Sequence, residues 1–200
     1  MIPAKMFFTS GVGTNKIPLT SFECALRDAK IERYNLVAVS SILPPNCKII
    51  PRNEGIKYLS PGEVVYTVIA RLDSNEPHRR ISTAIGCAVP ADRSTYGYLS
   101  ERHCFGESRK VVGDTAEDIA ATMLATTLGI DDFNSETDYS QRKEVYMMSG
   151  KIVKSYSIPR TAEVNEHGDW TTVLSAAVFI PPDAVKRFDA KRLDDVIAQA

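Results

Sequence analysis

This chain is short of most things that announce a function. Its 200 residues hold only 3 histidines, 4 cysteines and 1 tryptophan. The histidines, His78, His103 and His167, are scattered, so no metal site is expected from them. Cys24, Cys47, Cys87 and Cys104 show no CxxC or zinc-like spacing. Reduced, mostly buried thiols in a cytoplasmic protein are the expectation. Charge of one sign is also missing: 24 basic residues are interspersed with 25 acidic ones for a net charge of -1, which argues against a nucleic-acid partner. No apolar run approaches the ~20 residues that span a bilayer. The opening Met1-Ile2-Pro3-Ala4-Lys5-Met6-Phe7-Phe8 has no basic segment followed by a long apolar run, so no secretory leader is expected. Internal repeats and low-complexity segments are absent. What is present is ordinary globular material, 44% hydrophobic. It is long enough to bury a sizeable core in one domain, with or without a short appendage.

Segments rich in Val, Ile, Thr and aromatics, bounded by Gly, Pro and Asn, predict strands. They are Lys5 to Ser10, Tyr34 to Leu43, Glu63 to Leu72, Ile81 to Val89, Gly97 to Phe105, Lys151 to Ile158 and Trp170 to Ile180. The stretch from Glu63 to Ala70 is nearly continuous in apolar character and should lie inside a sheet. Two helices are signalled by capping-box spacing. One begins near Thr20 and Glu23, with Ala25, Leu26 and Ala29 on its apolar side. The other runs from about Thr115 to Leu128 behind Asp114 and Glu117, with Gly129 as its stop. A short helix is expected around Gln141 to Met148, and a longer one after Pro181-Pro182, with Val185, Phe188, Val196 and Ile197 as its apolar stripe. Strands and helices do not alternate as in a doubly wound fold. The pattern predicts an α+β protein with largely antiparallel sheets and helices packed outside them.

One stretch stands out. In Asn35-Leu36-Val37-Ala38-Val39-Ser40-Ser41-Ile42-Leu43-Pro44-Pro45 an apolar strand runs into two serines and is stopped by two prolines. Strand residues alternate faces, so Ser40 and Ser41 cannot both point into a core. The residues alone allow a strand end with two hydroxyls bonded to backbone, or a serine that attacks its own chain. Gly11-Val12-Gly13-Thr14-Asn15-Lys16 follows a strand but fits neither GxxxxGK[ST] nor GxGxxG. It is expected to be a turn whose glycines let backbone approach closely. In Glu101-Arg102-His103-Cys104, neighbours on a strand face opposite ways, so His103 and Cys104 make a poor dyad while Glu101 and His103 share a face.

Several pieces fall in order: Phe7-Phe8-Thr9-Ser10-Gly11-Val12-Gly13, Ser21-Phe22-Glu23-Cys24-Ala25-Leu26, the Asn35 to Pro45 block, Gly97-Tyr98-Leu99-Ser100-Glu101-Arg102-His103, and Ala116 to Leu124. Together they resemble the pyruvoyl-dependent arginine decarboxylases over roughly residues 2 to 180. The resemblance implies an αββα four-layer sandwich that assembles as trimers or hexamers with active sites between subunits. It implies a decarboxylase domain over residues 1–180 and a C-terminal helical tail over 181–200.

The chemistry that the resemblance implies is self-processing. Ser41 attacks the Ser40 carbonyl, the peptide becomes an ester, and elimination and loss of ammonia leave a covalent pyruvoyl group at Ser41. A β chain of 1–40 and an α chain of 41–200 result. This calls for an oxyanion donor and a strained backbone at the scissile bond, and Asn35 matches the family's supporting asparagine. The pyruvoyl group would form an imine with L-arginine and release carbon dioxide and agmatine without pyridoxal phosphate or metal. Glu101 matches the glutamate that returns a proton, a role for which burial must raise its pKa. Glu23 stands where the family has an acidic residue, aspartate in its best-known members, that receives the guanidinium. Ser40, as a new chain terminus, would also help bind substrate. The rival readings are the same chemistry on lysine or ornithine, an uncleaved assembly subunit, and a nucleotide site at Gly11 to Lys16.

Overall fold

The computed structural model describes residues 1–130 and 152–198. The helix expected at Gln141 to Met148 lies outside them.

Among the described residues, nine strands form two sheets. The first sheet contains β1 (Lys5–Asn15), β2 (Asn35–Ala38), β4 (Lys48–Ile49), β5 (Val64–Ser74) and β9 (Trp170–Ile180), in the order β2-β5-β9-β1-β4. The second contains β3 (Ile42–Leu43), β6 (Arg80–Pro90), β7 (Gly97–Phe105) and β8 (Ile152–Glu163), in the order β3-β7-β6-β8. The second sheet is antiparallel throughout. In the first, the short β2 and β4 pair in parallel with β5 and β1, and β9 runs antiparallel to both long neighbours.

Among the described residues, four buried clusters lie between four layers. Between the sheets lie Met6, Leu43, Val68, Ile85, Leu99 and Phe179 among others. Outside the first sheet, α1 (Pro18–Ala29) buries Ala25 and Ala29 with Phe7, Val65 and Leu174. Outside the second, α3 (Arg109–Thr127) buries Val112, Ala116, Ala120 and Leu124 against Ala84 and Ala88 of β6. The α+β sandwich expected from the sequence is therefore the fold observed. A short helix, α2 (Arg52–Gly55), continues into a 3-10 turn at Ile56–Tyr58. The helix after Pro181 is α4 (Pro182–Ala198). Its Val185 and Phe188 pack on the core outside the first sheet, with the Phe188 ring 4.5 Å from that of Tyr58. The expected stripe partners Val196 and Ile197 fall among residues whose side chains are not described.

Several boundaries differ from the sequence reading, each for a physical reason. Gly11 to Asn15 is not a turn: β1 continues through it, paired residue for residue with β9 as far as Trp170. The glycines do admit close backbone, as expected. A Cβ on Gly13 would stand 2.1 Å from the Ser21 carbonyl oxygen, and one on Gly11 2.1 Å from that of Ala25. Helix α1 therefore rests directly on the strand. It starts at Pro18, not at a Thr20 capping box, and has no side-chain cap. Proline at the first helical position loses no hydrogen bond, because that N–H has no partner inside a helix.

Likewise α3 starts at Arg109, six residues before the expected Thr115, behind Ser108, whose side chain accepts from the Val111 N–H at 3.3 Å. Asp114 and Glu117 are not caps. Asp114 pairs with Lys110, and Glu117 accepts from the Ser155 hydroxyl at 2.6 Å. Strand β8 runs past its expected end through Pro159, which an edge strand tolerates because one side needs no N–H.

The largest difference concerns Tyr34 to Leu43, which is not one strand. Asn35–Ala38 pairs with β5 in the first sheet, and Ile42–Leu43 pairs with β7 in the second. Between them Val39, Ser40 and Ser41 carry the chain across the sandwich.

Candidate active site

The crossing is fixed on both sides by backbone. Before it, the Val39 N–H donates to the Thr67 carbonyl at 3.0 Å. After it, the Leu99 N–H of β7 donates to the Ser41 carbonyl at 2.8 Å. Pro44-Pro45-Asn46-Cys47 then turns the chain, with the Cys47 N–H on the Pro44 carbonyl at 3.2 Å. Asn46 takes φ 56° at the third position, where a type II turn requires a positive value. The two serines thus sit in a short span pinned at both ends. Ser40 is exposed and Ser41 half-buried. Neither has a positive φ. The Ser40 carbonyl oxygen accepts the N–H of Ile42 at 2.9 Å, which closes a three-residue turn around Ser41.

Glu101 comes from a different part of the chain. On β7 it shares a face with Leu99, which is buried between the sheets. At Glu101 the covering ends, and Glu101, His103 and Phe105 line up exposed on that face. The Ser41 hydroxyl donates to Glu101 Oε1 at 3.4 Å. The crossing and β7 therefore bring Ser40, Ser41 and Glu101 together. Strand β3 covers the edge of β7 only at Gly97 and Tyr98.

The opposite face of β7 is organised differently. Arg102 Nη2 donates to Glu107 Oε1 at 2.6 Å, and the Cys104 thiol donates to Glu107 Oε2 at 3.0 Å. These bonds hold the Glu107 carboxyl below the usual range, the thiol contributing most. Burial and the Glu107 carboxylate push the Cys104 thiol up to about 11. Cys104 thus faces away from His103 and has a carboxylate partner. Burial pushes Cys47 and Cys87 up to about 12, and all four cysteines are free.

The other residues singled out lie apart within this chain. Asn35 begins β2, and its side-chain amide donates to the Gly62 carbonyl at 2.7 Å. At ~3.3 Å per residue, it stands on the order of 16 Å along the chain from Ser40. Glu23 lies on α1, outside the first sheet, where its carboxylate receives Arg27 Nε at 2.5 Å. Glu101 stands exposed on β7 of the second sheet, so the two carboxylates belong to different layers. Among the described residues no group of three or more His, Cys, Asp or Glu side chains converges as a metal site would. None of the described helices is long and apolar enough to cross a membrane.

Sequence reasoning missed two features here. One is the Ile42 N–H on the Ser40 carbonyl, a backbone contact that leaves no mark in residue type. The other is an apolar cleft of about 440 Å³ beside Ser40, lined by Val39, Ile42, Pro44, Tyr66, Phe179 and Pro181 among others. Its walls come from residues far apart in the chain, so only the run of prolines hinted at it.

The family model described as pyruvoyl-dependent arginine decarboxylase matches residues 5–184. A probable pyruvoyl-dependent arginine decarboxylase of Chloroherpeton thalassium is 57% identical over 180 residues, covering 90% of this chain and 98% of the relative. The pyruvoyl-dependent arginine decarboxylase 2 of Methanosarcina acetivorans is 56% identical over the same span and coverage. A further similar protein, from Chlorobaculum tepidum, is also 56% identical over 180 residues.

Proposed function

The chain belongs to the pyruvoyl-dependent arginine decarboxylase family, and from that premise we propose that it cuts itself between Ser40 and Ser41 and converts L-arginine to agmatine and carbon dioxide. The observation that carries this reading is the 3.4 Å contact between the Ser41 hydroxyl and Glu101, two residues 60 positions apart. A nucleophile beside the carbonyl it must attack, and an acid beside that nucleophile, are what self-processing followed by decarboxylation needs.

The residues fit a pyruvoyl group at position 41. The Ser40–Ser41 bond lies in a short pinned span, and its carbonyl already receives a donor. A pyruvoyl ketone supplies the electron sink for loss of carbon dioxide from an α-amino acid, which pyridoxal phosphate supplies elsewhere. No metal is required for this role.

Glu101 is the acid that returns a proton to the substrate's α-carbon. That role favours a carboxyl whose pKa is raised by burial, and Glu101 is exposed in a single copy. The cover comes from a second copy laid against the open face and free edge of β7. This supports an assembly of trimers or hexamers with sites between subunits. The same arrangement brings Glu23 of a neighbouring copy to the guanidinium, where its carboxylate accepts two parallel hydrogen bonds. Asn35 supports the site from the start of β2, and Ser40, as a new carboxyl terminus, borders the substrate. Cleavage yields a β chain of 1–40 and an α chain of 41–200, in a protein of the cytoplasm.

The test is agmatine release from arginine by purified protein without added pyridoxal phosphate. Activity that appears only when pyridoxal phosphate is added overturns the reading.

A further inference from the structure

Self-cleavage begins when Ser41 Oγ attacks the carbonyl carbon of Ser40. Negative charge then develops on the Ser40 carbonyl oxygen, and a donor aimed at that oxygen stabilises the transition state. The Asn35 amide, the side chain matched to polar support for this site, is spent on Gly62 at 2.7 Å. The group that does reach the Ser40 oxygen is the backbone N–H of Ile42, at 2.9 Å.

We propose that the Ile42 backbone N–H is the oxyanion donor for cleavage of the Ser40–Ser41 bond. The inference rests on the self-cleavage reading above and names the group that assists it. The turn geometry supports it. A hydrogen bond from residue 42 back to residue 40 with negative φ at Ser41 is an inverse γ-turn, a common and unstrained conformation. It presents the Ser40 carbonyl with its oxygen already held, while the Ser41 hydroxyl meets Glu101 at 3.4 Å.

The Ile42 N–H is also free for this duty. Although Ile42 opposes Tyr98 across the sheet, its N–H bonds to Ser40. The contact that ties the crossing to β7 is made by the Ser41 carbonyl with the Leu99 N–H. The donor is thus available without loss to the sheet.

The step balances within the chain. Oγ forms a bond to the Ser40 carbonyl carbon, and the charge on the carbonyl oxygen is held by the Ile42 N–H. The bond from that carbon to the Ser41 nitrogen then breaks, and the proton lost from Oγ ends on that nitrogen. The product is an ester between Ser40 and the Ser41 side chain. Elimination then removes the Ser41 α-proton to water and breaks the Cβ–Oγ bond, which releases the Ser40 carboxylate and leaves dehydroalanine at 41.

The test removes one N–H and reads chain cleavage, not decarboxylation. In the full chain, the amide between Ser41 and Ile42 is replaced by an ester by incorporating the α-hydroxy analogue of isoleucine at 42. Ile42→Pro removes the same donor by ordinary mutagenesis, and Ile42→Ala keeps the donor while removing most of the side chain. The rate of appearance of the two fragments is followed by denaturing gel and intact mass. Loss of one oxyanion donor slows such reactions by about 100-fold or more. That slowing is expected of the ester and proline variants, with Ile42→Ala within a few-fold of wild type. An ester variant that folds and cleaves at the wild-type rate overturns the proposal. So does an Ile42→Ala chain as slow as the ester. A wild-type chain that stays whole overturns the self-cleavage reading itself, which the same gel shows separately.

Discussion

Two stretches of this chain look alike in sequence and end up as opposites. Trp170 to Ile180 and Tyr34 to Leu43 are both apolar and rich in β-branched residues, and each reads as one strand. The first is one strand, β9, flanked by β5 and β1 and buried along almost its whole length. The second breaks at Val39 to Ser41 and divides between the two sheets. The difference lies in partners. Strand β9 pairs with β1 along its whole length and with β5 from Thr171 to Val178, so each residue gains by continuing. The Asn35 stretch has β5 for four residues and β7 for two, with a gap between. Stability resides in the region with continuous pairing, and reactivity in the region that changes partners.

Mutations at the two regions should therefore separate chemistry from stability. The largest effect is expected from Ser41→Ala at the crossing. It should leave one uncut chain and abolish agmatine formation while thermal unfolding stays near wild type, as checked by denaturing gel, product assay and calorimetry. Next is Glu101→Gln. It should still cleave, but the decarboxylation rate should fall about 100-fold or more, in line with loss of a positioned acid. Full turnover in this variant would remove Glu101 from the proton-transfer role.

In β9 the effects should invert. Leu174 is fully buried, and Leu174→Ala should cost about 2–5 kcal/mol in urea unfolding while the folded fraction still cleaves at Ser40–Ser41. The smallest effect is expected behind β7. Glu107 is held below the ordinary carboxyl value of 4.5 by Cys104 and Arg102. Its contribution is therefore present above that value and lost as the pH falls through the lowered one. Glu107→Gln should cost about 1 kcal/mol at neutral pH. The gap from wild type should close in acid, as read from urea midpoints at a series of pH values.

Much of the fold was legible because hydrophobic pattern and β-branched content report strands directly. Gly97 to Phe105 and Trp170 to Ile180 fall on the expected residues. Helix starts were not legible, because capping-box spacing also occurs inside helices. Asp114 and Glu117 serve Lys110 and Ser155 instead, and Gly113 follows directly on the true first turn, Arg109 to Val112. The change of sheet at Ser40 was not legible for a deeper reason: alternation describes a strand's faces but not which sheet it joins. The site was readable as residue types in Ser41 and Glu101, and their contact came only with the fold. The positions of Asn35 and Glu23 within one chain could not be read from spacing at all. They depend on where β2 begins and on which layer carries α1.

The most direct test of the account is the intact mass of the purified protein under denaturing conditions. Self-processing yields two fragments divided between Ser40 and Ser41, the larger lighter by one ammonia than a chain that begins with serine. A single mass for the whole chain would contradict it.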